Sequence, residues 1–305
     1  LNGELVTAKG EVTLRNNSLF IKPLASTLKN LSGKFSFING DLQSEPLTAS
    51  WFNQPLNVDF STKEGAKAYQ VAVNLNGNWQ PAKTGVLPAA VNEALSGSVA
   101  WDGKVGIVLP YHAGATYNVE LNGDLKNVSS HLPSPLAKPA GEPLPVNVKV
   151  DGNLNSFDLT GQAGADNHFN SRWLLGQKLT LDRAIWAADS KTLPPLPEQS
   201  GVELNMPPMN GAEWLALFQK GAAESVGGAA SFPQHITLRT PMLSLGNQQW
   251  NNLSIVSQPT ANGTQVEAQG REINATLAMR NNAPWLANIK YLYYNPSVAK
   301  TRGDS

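Results

Sequence analysis

The side chains best suited to hold a metal ion or to transfer a proton near neutral pH are the four histidines, His112, His131, His168 and His235. No two of them stand at the i, i+4 spacing that places two rings on one face of a helix. A metal site would therefore require ligands that converge from distant parts of the chain. We predict no metal site and no cofactor.

A carboxylate stands near an imidazole at Asp166 and His168, inside a glycine-rich stretch over residues 161–169 that we interpret as a polar loop. A catalytic triad also needs a serine nucleophile motif, and none accompanies this pair. Ser297 and Lys300 match a Ser-x-x-Lys motif, but they lie close to the end of the chain, where no core can hold the required buried helix.

The Arg-Gly-Asp tripeptide at 302–304 is interpreted as a chance match in a terminal tail. The chain has no cysteine, which excludes disulfides, thiolate zinc sites and cysteine nucleophiles. We predict that the protein is not an enzyme.

Charge is sparse and balanced along the chain. Lys plus Arg and Asp plus Glu number 23 each, so the formal net charge is zero, and charged residues make up 15% of the total. Nucleic-acid binding needs a basic excess that displaces counterions, so we predict no nucleic-acid partner. No run of residues approaches the 18 continuous apolar positions of a membrane-spanning helix.

The elements that would position any site show the two-residue periodicity of β-strands. One pattern, Val-x-(Leu/Val)-(Asn/Asp)-Gly-(Asn/Asp)-(Leu/Trp), occurs three times, over residues 73–79, 119–125 and 148–154. Alternating apolar residues predict strands with one apolar face, and Asn-Gly or Asp-Gly pairs favour tight turns between strands. We predict such turns in each repeat and at residues 39–40, 102–103 and 262–263. The pattern indicates an all-β repeat body.

Two segments predict short helices within this β pattern, one near residues 87–95 and one near residues 210–226. In the second, Asn210 and Glu213 have the spacing of a capping arrangement, and Gly227 with Gly228 would end the helix. Proline-rich stretches over residues 132–145 and 193–197 cannot donate to a central ladder, so we predict excursions there. We divide the chain into β-groove segments 1–130, 131–200 and 201–305 of one continuous body.

Longer motifs carry a family resemblance. The stretches Leu31–Leu42 and Leu47–Leu56, and later Tyr117–Leu125, Leu132–Lys138 and Pro143–Val146, appear in an order that resembles the repeating unit of the bacterial AsmA-like proteins. That family is similar to the eukaryotic bridge-like lipid transfer proteins. The chain resembles an internal fragment of a large enterobacterial member, so we expect it to be part of a longer protein.

The resemblance implies a fold and a function. It implies an elongated, strongly curved antiparallel sheet that forms an open hydrophobic groove, in the periplasmic portion of a protein anchored in the bacterial inner membrane. Phospholipid acyl chains would lie in the groove and move between the inner and outer membranes, which would be reached by regions outside this chain. Protein partners in the envelope are left open.

The expected groove-lining residues are the apolar members of the strongest alternating segments. They are Leu31, Phe35, Phe37, Val71, Val73, Leu75, Val119, Leu121, Val148 and Val150.

Two alternatives belong to other functional classes. The chain could be a structural or assembly factor for outer-membrane proteins, or an envelope scaffold without lipid conduction. It could instead be a closed β-sandwich that binds carbohydrate through exposed tryptophans. Six tryptophans fall about one per strand region in the sequence, at positions 51, 79, 101, 173, 186 and 250.

Overall fold

The computed structural model describes residues 7–24, 26–222 and 230–296, and these residues are dominated by β-strands. The first eleven strands are β1 (Lys9–Ile21), β2 (Ser26–Ile38), β3 (Asp41–Ser44), β4 (Leu47–Trp51), β5 (Gln54–Glu64), β6 (Ala68–Trp79), β7 (Leu95–Ser96), β8 (Val99–Pro110), β9 (Thr116–Asp124), β10 (Ser129–Ser130) and β11 (Pro145–Asn153).

Strands also dominate the second half of the described chain. Its strands are β12 (Ser156–Ala163), β13 (Asn167–Leu175), β14 (Leu179–Ala187), β15 (Gly201–Asn205), β16 (Met209–Asn210), β17 (Ala230–Ser231), β18 (Ile236–Leu245), β19 (Gln248–Thr260), β20 (Gly263–Gln269), β21 (Ile273–Arg280) and β22 (Leu286–Leu292). The helices are α1 (Ala89–Ala94) and α2 (Gly211–Ala222), with single 3₁₀ turns at Lys22–Leu24 and Pro81–Lys83.

Twenty of the described strands form one large curved sheet in which most sequence neighbours pair, and β7 and β10 form a separate two-stranded sheet. From β1 the antiparallel ladder runs through β2, then β3 and β4, which both pair with β2 and with β5. It continues through β6, β8, β9, β11, β12, β13 and β14, and its far end runs from β18 through β19, β20 and β21 to β22. The predicted all-β groove architecture is confirmed.

The middle of the sheet departs from the antiparallel expectation. Strand β15 pairs in parallel with β14 on one side and with β18 on the other. Parallel neighbours need crossover connections, and two are present, over residues 188–200 and 206–235. The proline-rich sequence 193–197 lies within the first crossover, so the excursion predicted there is confirmed.

The Asn-Gly and Asp-Gly pairs of the repeat were wrongly predicted as turns. Residues 76–77, 122–123 and 151–152, and also 102–103, lie inside strands, in the extended conformation. None of these four glycines has a positive φ, which a two-residue hairpin turn would require. The turn predicted at Asn39 is correct, since its φ is 53°.

Both predicted helices form. The side-chain oxygen of Asn210 accepts hydrogen bonds from the backbone N–H groups of Ala212 (3.1 Å) and Glu213 (3.2 Å), and this cap fixes the start of α2. The predicted end of this helix at residues 227–228 lies outside the described residues. Helix α1 is shorter than the predicted segment 87–95, and it follows Pro88.

Candidate functional site: a continuous apolar groove

The sheet register aligns one inward-facing residue from each of fifteen described strands into a single row, called here the central row. Paired residues share a face of a sheet, so the row is continuous across the ladder. Its members are Leu47, Val58, Leu75, Gly103, Leu121, Val148, Gly161, Phe169, Trp186, Leu204, Leu238, Ile255, Ala268, Ala275 and Ile289. Every member is apolar or glycine.

A second inward row runs two residues away on each strand. It begins with Phe60, Val73, Val105, Val119, Val150 and Leu159, and continues to Leu277 and Ala287. Ser171 and Ser257 are its two polar members within the described ladder. The two rows together give the inner face an apolar floor at least two side chains wide.

The outer face, between these rows, is polar. Asp59, Asn74, Lys104, Glu120 and Lys149 stand opposite one another on consecutive strands. Their hydrogen bonds are local to that face, as in the 2.8 Å bond that the Asn74 amide donates to Asp59. The sheet therefore separates an apolar inner face from a hydrated outer one.

All ten residues expected to line a groove lie on the inner face. Nine are placed there by the register, and Leu31 packs against the same buried cluster as Val73 and Leu75. Each is half-buried. A closed sandwich would bury such residues fully, so an open groove fits their intermediate exposure. Their contact with lipid stays a prediction.

Burial changes along the groove. At its β4 end the central row starts with Leu47, which is only 1% exposed and belongs to a core with Leu28 and Leu56. In the middle the floor is half-buried, and at β22 Ile289 is 53% exposed. The inner face is therefore filled by its own side chains at the β4 end, whereas Ile289 lies in β22, which among the described strands pairs with a neighbour on one side only.

The repeat glycines belong to this inner face and let large neighbours lie across them. A Cβ on Gly77 would stand 2.9 Å from the indole nitrogen of Trp79, and a Cβ on Gly152 would stand 2.5 Å from the Phe157 side chain. Glycine in a strand permits such close approach and local bending. The Gly of each repeat thus shapes the curved floor instead of turning the chain.

Three of the tryptophans gather at one rim of the floor, although they are spaced about one per strand region in the sequence. The ring centroids of Trp79 lie 6.3 Å from Trp51 and 5.0 Å from Trp101, both in edge-on geometry. The indole N–H groups of Trp51 and Trp79 donate to Ser26 Oγ and the Pro55 carbonyl. Partly buried indoles held by their own chain do not form the exposed platform that the carbohydrate hypothesis needs.

Ionisable groups reflect the difference between the two faces. Burial in the floor raises the pKa of the Tyr117 phenol, since the neutral form is favoured away from water. On the outer face, a hydrogen bond and the charge of Asp158 raise the pKa of Arg172, whose guanidinium binds that carboxylate at 2.8 Å. The second group is exposed and contributes little to the stability of the fold.

The residues considered for catalysis have structural roles. His168 was expected in a loop, but it lies in β13 on the outer face, and its Nδ1 is 2.7 Å from the Ser190 carbonyl of the first crossover. Ser297, Lys300 and the Arg-Gly-Asp tripeptide lie outside the described residues. The described residues contain no group of three His, Asp or Glu placed to hold a metal ion.

Sequence reasoning missed the floor residues of β12 to β15. On β13 and β14 the outer face is also buried, because the first crossover covers it: Ile185 is buried, and the Asn170 amide donates to the Pro194 carbonyl. Burial on both faces weakens the alternation, and a register shift between Arg172 and Trp173 displaces its phase. Phe169 and Trp186 are apolar members of the central row, and their residue types were a sequence signal that could have placed them on the floor.

None of the helices in the described ranges is long and apolar enough to cross a membrane. The chain is 97% identical over 305 residues to the intermembrane phospholipid transporter YhdP of Escherichia coli (strain K12), and it spans about a quarter of that relative, 24% of its length. No solved structure matches it. The model of the YhdP protein family matches residues 1–305, and the chain therefore belongs to that family.

Proposed function

We propose that this chain forms one length of a groove that binds phospholipid by its acyl chains and conducts it between the inner and outer membranes. The observation that carries the proposal is the central row, which presents no polar side chain across fifteen described strands. The name of the E. coli relative, an intermembrane phospholipid transporter, supports it. The role needs no catalytic residue.

A continuous apolar floor allows a lipid to move along it from strand to strand. Strands are spaced by about 4.8 Å, so fourteen steps along the row span about 65–70 Å. Binding in the groove is stabilised by about 0.8 kcal/mol for each CH₂ of the acyl chain that leaves water, and by about half of that where the groove covers only one side of the chain. Similar apolar sites on successive strands give no single deep minimum that would hold the lipid.

The cellular location is part of the same proposal, and the name of the E. coli relative supports it. We place the chain in the periplasmic portion of a protein anchored in the inner membrane, with both membranes reached by other parts of that protein. The balanced charge of the chain, 23 basic and 23 acidic residues, is compatible with passage of a phosphate headgroup that is not trapped.

Photo-crosslinking tests the proposal. A photoreactive amino acid is placed in the full-length protein at Val73, Val119 or Val150 on the inner face, and at Ala72 on the outer face as a matched control. We expect covalent phospholipid adducts at the three inner positions and background labelling at Ala72. Equal labelling on both faces, or none at the inner positions, would overturn the proposal and favour a scaffold without lipid.

A further inference from the structure

The described parts of the second crossover, residues 206–222 and 230–235, contact the inner face of the sheet near both of its rims. At one rim Trp214 of α2 packs against a buried cluster that includes Met206 and Leu253, and Leu204 and Leu238 of the central row pack against the same cluster. At the other rim Phe232 lies 6.3 Å from Trp173 in edge-on geometry, and Trp173 is paired with the inward-facing Phe157. These described parts therefore contact the groove side, whereas the first crossover covers the outer face.

Helix α2 is held in place at three points along its length. Its first turn is capped by Asn210, in a strand paired with β18. The Trp214 Nε1–H donates to the Ser134 carbonyl at 2.9 Å, and Lys220 forms an ion pair with Glu93 at the end of α1. Contacts to segments about 80 and 127 residues away fix the helix relative to the groove.

Phe218 of α2 lies on the side of the helix from which Trp214 packs, but it is not packed itself. Phe218 follows Trp214 by four residues, so both project from the same side of the helix. Trp214 is packed onto the inner face, whereas Phe218 is 74% exposed and its neighbour on that side, Leu215, is 48% exposed. An apolar surface of the helix, on the side of Trp214, is thus left exposed.

We propose that α2 is a roof over the groove and that Phe218, with Leu215, binds the acyl chain of a passing phospholipid from above. This inference rests on the proposed function. The ligand of this apolar side of α2 is the lipid that lies on the floor, because Trp214 joins that side of the helix to the inner face. An acyl chain under α2 is covered on two sides along this stretch.

The test is photo-crosslinking at three positions in the full-length protein: Phe218, Val119 as the floor reference, and Leu193 as the matched control. Leu193 is also an exposed apolar residue, 48% exposed, but it lies on the crossover that covers the outer face. We expect phospholipid adducts at Phe218 within about threefold of Val119 and at least tenfold above Leu193.

The outcomes separate the two claims. Labelling at Val119 with Phe218 at the level of Leu193 overturns the roof and leaves the groove intact. No labelling at Val119 or Phe218 overturns the proposed function and the roof with it. As a second measurement, Phe218→Asp is expected to lower co-purified phospholipid severalfold while Leu193→Asp does not; both side chains are exposed, so neither change threatens folding.

Discussion

Placing a charge in the floor is expected to stop lipid passage while leaving the sheet folded. Val73 lies on the inner face between Phe60 and Val105, and it is half-buried. In Val73→Asp an acyl chain that crosses this strand must desolvate a carboxylate, which costs several kcal/mol, and it loses contact with the valine methyls. A barrier raised by about 3 kcal/mol slows passage about 100-fold.

The same change has a modest cost in folding. Losing a half-buried valine and introducing a poor strand former together lower the free energy of unfolding by about 1–2 kcal/mol. The matched control is Ala72→Asp, one residue away on the outer face, where the new carboxylate lies opposite Ser61 and Gly106 and stays in water. Its transport is expected to stay within about twofold of the parent.

The assay follows labelled phospholipid from the inner-membrane to the outer-membrane fraction in cells whose transport depends on the full-length protein. Circular dichroism and urea unfolding of each variant establish that it is folded. If folded Val73→Asp moved lipid at the parent rate, the inner face would not be the lipid path. A loss in Ala72→Asp equal to that in Val73→Asp would equally refute the reasoning, because only one of them charges the floor.

Two further predictions concern stability. Gly161→Ala should lower the free energy of unfolding by about 1–3 kcal/mol, because the new methyl group meets the Phe169 ring. In Gly221→Ala, within α2, the new methyl group meets no atom within 4 Å, so this change should be neutral or stabilising by up to about 1 kcal/mol. Urea unfolding midpoints compare the two variants, and equal effects would contradict the packing account. Desolvation raises the pKa of Glu272, but hydrogen bonds from Asn251 outweigh it and leave the pKa lowered. The Glu272 carboxylate therefore stabilises the fold above its unfolded-state pKa of about 4.3, and this stabilisation is lost as pH falls through the lower pKa of the folded state. Urea midpoints at pH 5 and pH 3 should therefore fall more for the parent than for Glu272→Gln, and an equal fall would contradict the assignment.

Much of the groove was predictable because alternation is a local property. On β6, β9 and β11 the inward residues Val73, Val119 and Val150 alternate with polar ones, and this alone places them on one face. The cap of α2 at Asn210 was predictable for the same reason, since capping depends on residues three apart. The glycine of each repeat was misread, because an Asn-Gly pair has the same composition in a turn and in a strand.

The sequence by itself determined that the protein is made of strands with one apolar face, that its charge is balanced, and that its motif order resembles one family. Those properties depend on residue types and short spacings. Only the tertiary structure decided that the apolar faces join into one row, since register is set by pairing between strands far apart in sequence. It also decided that the first crossover covers the outer face and that α2 is held beside the inner face, because contacts such as Trp214 with Ser134 have no local signal.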